Sequence, residues 1–175
     1  MKQHGPTSSR SHGFTLIEMM TSLAVLAILL AIVPPSLAAF VSTSRVRAAQ
    51  SELVSSLMLA RSEAAKRGKS VLVTALAPTS GNEFSAGWTV WVDEDDSGTR
   101  NAGDTVVRQF PNLSAGVVLS TIGNVTEVSF APTGFLTTAS AVTFKICGKN
   151  DPGKGYTAAL QPMGLTDVSD RATCP

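Results

Sequence analysis

No lysine or arginine occurs between Arg10 and Arg45, and inside that gap residues 23–33 are uninterrupted leucine, alanine, valine and isoleucine. Residues 14–33 make roughly 20 positions, about 30 Å as a helix, which is enough to cross a hydrocarbon core. The polar start, residues 1–13, holds Lys2 and Arg10 and no acidic residue. Basic residues before an apolar run predict that the N-terminus stays cytoplasmic and the rest is exported. A secretory signal peptide shares this general form. Against it stand the length of the run and its continuation into a periodic helix instead of a small-residue cleavage site.

Glu18 lies five positions into the apolar segment. A carboxylate inside a membrane costs about 2–4 kcal/mol near the centre and less near the edge, so it needs a partner. The alternative is a charge tolerated at the interface.

Composition narrows the function classes. Charged residues are 15% of the chain, against roughly 25% in soluble domains. The length of 175 residues suits one ordinary domain and an appendage. A net charge of +1 excludes a polybasic nucleic-acid binder as the default. Both histidines, His4 and His12, fall in the first dozen residues. If that segment is removed, no histidine remains, which excludes Ser-His-Asp and Cys-His catalysis and any His-ligated metal.

Pro34 and Pro35 interrupt the helical pattern. Proline removes a backbone donor and crowds the preceding turn, so either a kink or the end of the helix is expected. A kink is favoured because periodicity resumes: Val46, Ala49, Leu53, Leu57, Ala60 and Ala64 recur at spacings of three and four, marking one apolar face that packs on the chain's own sheet. Glu63 and Arg67 form an i, i+4 pair, and Gly68 is placed to end the helix. From Lys69 the period becomes two. Residues 70–76, 88–93, 105–110, 117–120, 127–130, 142–147 and 156–161 read as short strands separated by Gly, Pro, Asn and Asp, a succession that predicts antiparallel sheets. Residues 167–175 read as a polar, weakly structured tail.

Cys147 and Cys174 are the only cysteines. An even count in an exported domain favours a disulfide, closing a loop of about 28 residues for roughly 3–4 kcal/mol; two free thiols are the alternative. The densest acidic stretch runs over 93–104. Asp93, Asp95 and Asp104 resemble the start of a calcium loop, but the bidentate Glu of an EF-hand is missing, and Arg100 opposes a cation. A solvated turn is the better reading.

Gly13-Phe14-Thr15-Leu16-Ile17-Glu18 resembles the processing motif of type IV pilins and type II secretion pseudopilins. The resemblance implies that prepilin peptidase cuts after Gly13 and methylates the new amine of Phe14, giving N-methylphenylalanine. It implies that Glu18 pairs with the N-terminal amine of a neighbouring subunit, and that the helix is kinked or partly unwound near Pro35. It also implies that the C-terminal region is stapled by Cys147 and Cys174. Three further stretches, Leu59-Ala60-Arg61-Ser62-Glu63-Ala64, Gly87-Trp88-Thr89-Val90-Trp91-Val92-Asp93 and Phe130-Ala131-Pro132-Thr133-Gly134, resemble the GspH/FimT branch of minor pilins and pseudopilins.

Some FimT-like minor pilins bind DNA through a glycine followed by two arginines spaced one apart. The candidate stretch, residues 164–171, has neither arginine there and carries Asp167 and Asp170. Without Lys2 and Arg10, 12 basic residues face 13 acidic ones, a formal −1. Lys145, Lys149, Lys154 and Arg171 could still gather locally. Nucleic acid is nevertheless not the expected partner.

The expected chain is therefore α+β and pilin-like, a long N-terminal helix packed on an antiparallel sheet or sandwich. Its expected parts are a leader (1–13), a transmembrane half-helix (14–33), a periplasmic amphipathic half-helix (34–68) and a β-rich domain (69–175). The expected function is that of a minor pilin or pseudopilin with no cofactor and no enzymatic turnover. Its expected partners are other pilin or pseudopilin subunits, prepilin peptidase and an inner-membrane assembly platform. A DNA-uptake adaptor and a membrane-anchored enzyme are the alternatives, and no catalytic pair is visible for the latter.

Overall fold

The computed structural model describes residues 13–149 and 155–174. Its first element is α1 (Leu16–Arg67), a single 52-residue helix. Helical structure continues through Pro34 and Pro35, so the helix does not end there. Two compact units divide within this helix, one ending at Ala38 and the other beginning at Ala39.

Among the described residues of the second unit, eight strands follow α1: β1 (Ser70–Ala75), β2 (Trp88–Asp93), β3 (Thr105–Phe110), β4 (Val117–Thr121), β5 (Glu127–Phe130), β6 (Val142–Gly148), β7 (Gly155–Leu160) and β8 (Thr166–Ala172). They form two four-stranded sheets, ordered β3-β2-β1-β5 and β4-β6-β7-β8. Every pairing is antiparallel. The architecture is thus α+β, with helix and antiparallel sheets sharing one core.

That core follows from the two periodicities. The helical stripe Val46, Ala49, Leu53, Leu57, Ala60 and Ala64 is buried along its whole length. It joins one apolar cluster with Val71, Val73, Trp88, Val90, Val92 and Phe130 of the first sheet and Leu119, Phe144, Ile146, Ala158 and Leu160 of the second. Along the stripe two central leucines, Leu53 and Leu57, are flanked by the smaller Val46 and Ala49 before them and Ala60 and Ala64 after them. Gly68 takes φ +63° and its N–H donates to the Ala64 carbonyl at 3.0 Å, closing the helix as a left-handed cap.

Aromatic contacts link the β1–β2 connection to the second sheet and brace the first sheet internally. Phe84, in the β1–β2 connection, meets Phe144 of β6 edge-on at 5.3 Å between ring centroids, and Trp88 stacks on its β3 register partner Phe110 at 5.2 Å. The same connection contributes Glu83, almost fully buried. Its carboxyl oxygens accept from the Gly81 N–H at 2.7 Å and, across to β4, from the Thr121 N–H at 2.9 Å.

One expectation is overturned. The tail over 167–175 is mostly ordered, because Thr166–Ala172 forms β8 at the edge of the second sheet. An edge strand has one neighbour and needs few apolar side chains, so its polar composition concealed it.

Candidate functional site

The residues with functional expectations fall in two places, the start of α1 and the surface of the β-rich unit. Gly13 and Phe14 precede the helix, both exposed, and nothing lies within 4 Å of where a Cβ on Gly13 would be. Among the described residues, the Gly13–Phe14 bond is thus uncovered. Residues 1–12, with Lys2, Arg10, His4 and His12, lie outside the described residues.

Thr15 caps the helix. Its side-chain Oγ1 accepts from the Glu18 N–H at 3.3 Å, and its carbonyl accepts from the Glu18 and Met19 N–H groups, each at 3.2 Å. Thr-x-x-Glu is the sequence form of a capping box, a local role for Thr15 that the sequence reading missed. Glu18 also sits in the first turn, where the helix dipole favours an anion. Its side chain is exposed, which leaves the carboxylate open to a partner from outside the chain. Thr21 Oγ1 donates to the Glu18 carbonyl at 3.0 Å, so that hydroxyl is satisfied within the apolar stretch.

Every side chain from Phe14 to Leu30 is exposed, with Phe14 77% and Ile28 62% accessible. Such a surface is far larger than the apolar patches water-soluble monomers tolerate. Among the described residues no helix is long and apolar enough to cross a membrane. The expected span ends at residues 31–33, whose side chains lie outside the described ones, as do those of Pro34 and Pro35 just beyond it.

Polar contacts fix the lower half of α1 to its domain. Arg45 donates to the Ala115 carbonyl at 3.3 Å, and Arg47 Nε donates to the Tyr156 hydroxyl at 2.9 Å. Glu63 pairs with Arg67 at 2.7 Å and Lys66 at 3.5 Å. The Arg67 hydrogen bond holds the Glu63 carboxyl below its ordinary pKa.

Cys147 on β6 and Cys174 beyond β8 form a disulfide with Cα atoms 5.7 Å apart. The bridge needs Gly155 at the start of β7, because a Cβ there would fall 2.3 Å from Cys174 Sγ and 2.6 Å from the Ile146 carbonyl oxygen. Sequence reading assigned that glycine no role.

Asp93, Asp95 and Asp104 do converge, with one ligand atom of each within 4.8 Å of the others. Their oxygens also organise the loop itself. Asp93 accepts from the Ser97 and Gly98 N–H groups at 3.0 and 2.8 Å, and Asp104 from those of Glu94 and Asn101 at 3.1 and 2.7 Å. Asp95 accepts from Ser97 and Asn101, and this bonding, from Ser97 first, lowers its pKa. The arrangement offers the hard oxygens a divalent cation prefers, yet these hydrogen bonds account for the convergence by themselves.

Gly164 lies in the β7–β8 turn. The two positions where the DNA-binding pattern requires arginine hold Leu165 and Asp167, both exposed. Lys154 and the side chain of Arg171 lie outside the described residues, and Lys145 and Lys149 alone make no cationic patch.

Residues 49–164 match the family described as type II transport protein GspH, and residues 8–34 match the prokaryotic N-terminal methylation motif. No curated protein matches the sequence. Among solved structures, the fold is similar to the type IV minor pilin FimU of Pseudomonas aeruginosa. That match has a TM-score of 0.60 and 20% identity, and covers 74% of this chain and 92% of FimU. It is also similar to the minor pseudopilin EpsH from the type 2 secretion system of Vibrio cholerae. Here the TM-score is 0.52 at 17% identity, covering 72% of this chain and 97% of EpsH.

Proposed function

The chain belongs to the GspH family of minor pilins and pseudopilins, and from that premise we propose that it is a structural subunit acting in assembly initiation or at the tip of a type IV pilus or type II secretion pseudopilus. The observation that carries the reading is the exposed apolar start of α1, with a methylation motif at its head and one carboxylate, Glu18, in its first turn.

The mechanism joins what the family membership implies to the physical chemistry of Glu18. Before assembly the chain is anchored in the inner membrane by one span over residues 14–33, its N-terminus cytoplasmic and its β-rich domain periplasmic. Prepilin peptidase removes residues 1–13 by hydrolysing the Gly13–Phe14 bond and methylates the new amine. An ammonium and a carboxylate one helical turn apart cannot both stay unpaired in an apolar environment. Pairing Glu18 with the amine of a neighbouring subunit neutralises both and fixes axial register as the assembly platform moves subunits from the membrane into the filament. The kink expected at Pro34 and Pro35 lets the apolar half adapt to that packing while the lower half stays docked on its sheets. The work involves no turnover of substrate.

The test is deletion of the chain, with surface piliation and exoprotein secretion assayed in the same cultures. Loss of one with retention of the other assigns the machine. Retention of both, with no paralogue present, would contradict the reading.

A further inference from the structure

Two turns remote in sequence meet under one helical side chain. Gly134 closes the turn after β5 by donating to the Ala131 carbonyl, and Gly164 closes the β7–β8 turn by donating to the Gln161 carbonyl, each at 2.8 Å. A further bond, from the Leu136 N–H to the Pro162 carbonyl at 2.9 Å, ties the turns together. Both glycines are buried and hold positive φ, +78° and +74°. A Cβ on Gly164 would fall 2.3 Å from the Gly134 carbonyl oxygen and 3.0 Å from Arg61 Nε, and one on Gly134 would fall 3.3 Å from the same nitrogen. The Arg61 side chain therefore lies across both turns.

Several residues flanking these two turns are apolar and exposed. Phe135 (51% exposed) follows Gly134, and Met163 (59%) and Leu165 (55%) flank Gly164. Met58 (61%) stands one helical turn before Arg61, on the side toward which helical side chains lean. Turns are ordinarily built from small polar residues. Arg61 is half-buried, and among the described residues it has neither an ion pair nor a hydrogen bond.

We infer that this surface is a docking site for an amphipathic segment of a different subunit, one that lays apolar side chains on Phe135, Met163 and Leu165 and brings a carboxylate to Arg61. The inference rests on the subunit role proposed above and gives it a place. Charge complementarity selects the occupant. Covering the apolar groups desolvates the guanidinium, which is costly unless an anion arrives with the cover. A second copy pairing face to face would bring another Arg61 instead. Nucleic acid is disfavoured by Asp167, exposed three positions after Gly164. Aromatic, methionine and arginine side chains are the types enriched at the centres of protein interfaces.

The experiment places a photo-crosslinking phenylalanine analogue at position 163 of the full-length chain in assembling cells, with a second variant carrying it at position 40 on the apolar helix. The expected result is a covalent adduct at 163 with one other filament subunit, mapped to a segment holding apolar residues and a carboxylate. Arg61→Glu should lower the yield at least about tenfold, and reversing the partner's carboxylate to lysine should restore it. Leu165→Asp, at an exposed site that leaves the core intact, should lower it as well. Adducts at 40 but none at 163 would overturn this surface and leave the subunit role standing. Absence of adducts at both would overturn the two together. An adduct at 163 with a second copy or with DNA, or one indifferent to both substitutions, would also overturn it.

Discussion

Glu83 shows how much one side chain can carry unnoticed. It sits between Gly81-Asn82 and Phe84-Ser85, a setting that reads as an ordinary polar turn, yet its carboxyl group is buried and joins the first sheet's loop to β4. Glu83→Ala should destabilise the domain by about 1–3 kcal/mol, because the buried Thr121 N–H loses its acceptor and the turn at Gly81 loses its tie. Chemical denaturation of the full chain in detergent measures it, and an unchanged midpoint would deny the bridge. Two other carboxyls act in acid. Hydrogen bonds hold Glu63 and Asp95 below their ordinary pKa values, so the stability they add is present above the unfolded carboxylate range near pH 4 and is lost as pH falls through the lowered values. Thermal midpoints should hold level from about pH 7 to 5 and decline below about pH 4. Asp95→Asn should remove part of that decline.

Among the elements, α1 was the most legible. Its stripe from Val46 to Ala64 is a matter of spacing alone, and every member is buried. Leu53→Ala, which empties a fully buried position in that stripe, should cost about 2–5 kcal/mol and be visible as a lower unfolding midpoint. β8 was illegible for the opposite reason: hydrogen bonds to β7 and the bridge at Cys174 hold it, and neither leaves an apolar pattern. Replacing Cys147 by serine should therefore weaken the domain by roughly 3–4 kcal/mol, with amide exchange accelerated first in Thr166–Ala172. Uniform acceleration across both sheets would show that the bridge is not specific to that edge. The Thr15 cap was written in its Thr-x-x-Glu spacing and went unread, whereas the space at Gly155 depends on the positions of Cys174 and Ile146 and not on residue type alone.

Across the whole molecule, the family and the α+β architecture could be read from the chain because its segments obey different rules. An apolar helix with a processing motif is followed by an amphipathic helix and then by period-two strands. The convergence of Arg61 with Gly134 and Gly164 could not, because nothing in a linear sequence places a helix residue against two turns more than seventy positions away. The central claim is that the chain enters its filament as a processed subunit beginning at Phe14. Intact mass of the membrane-extracted chain from cells with an active prepilin peptidase tests this most directly. The expected result is a single species that lacks residues 1–13 and carries one additional methyl group. A chain that retains those thirteen residues, or one cut elsewhere, would contradict it.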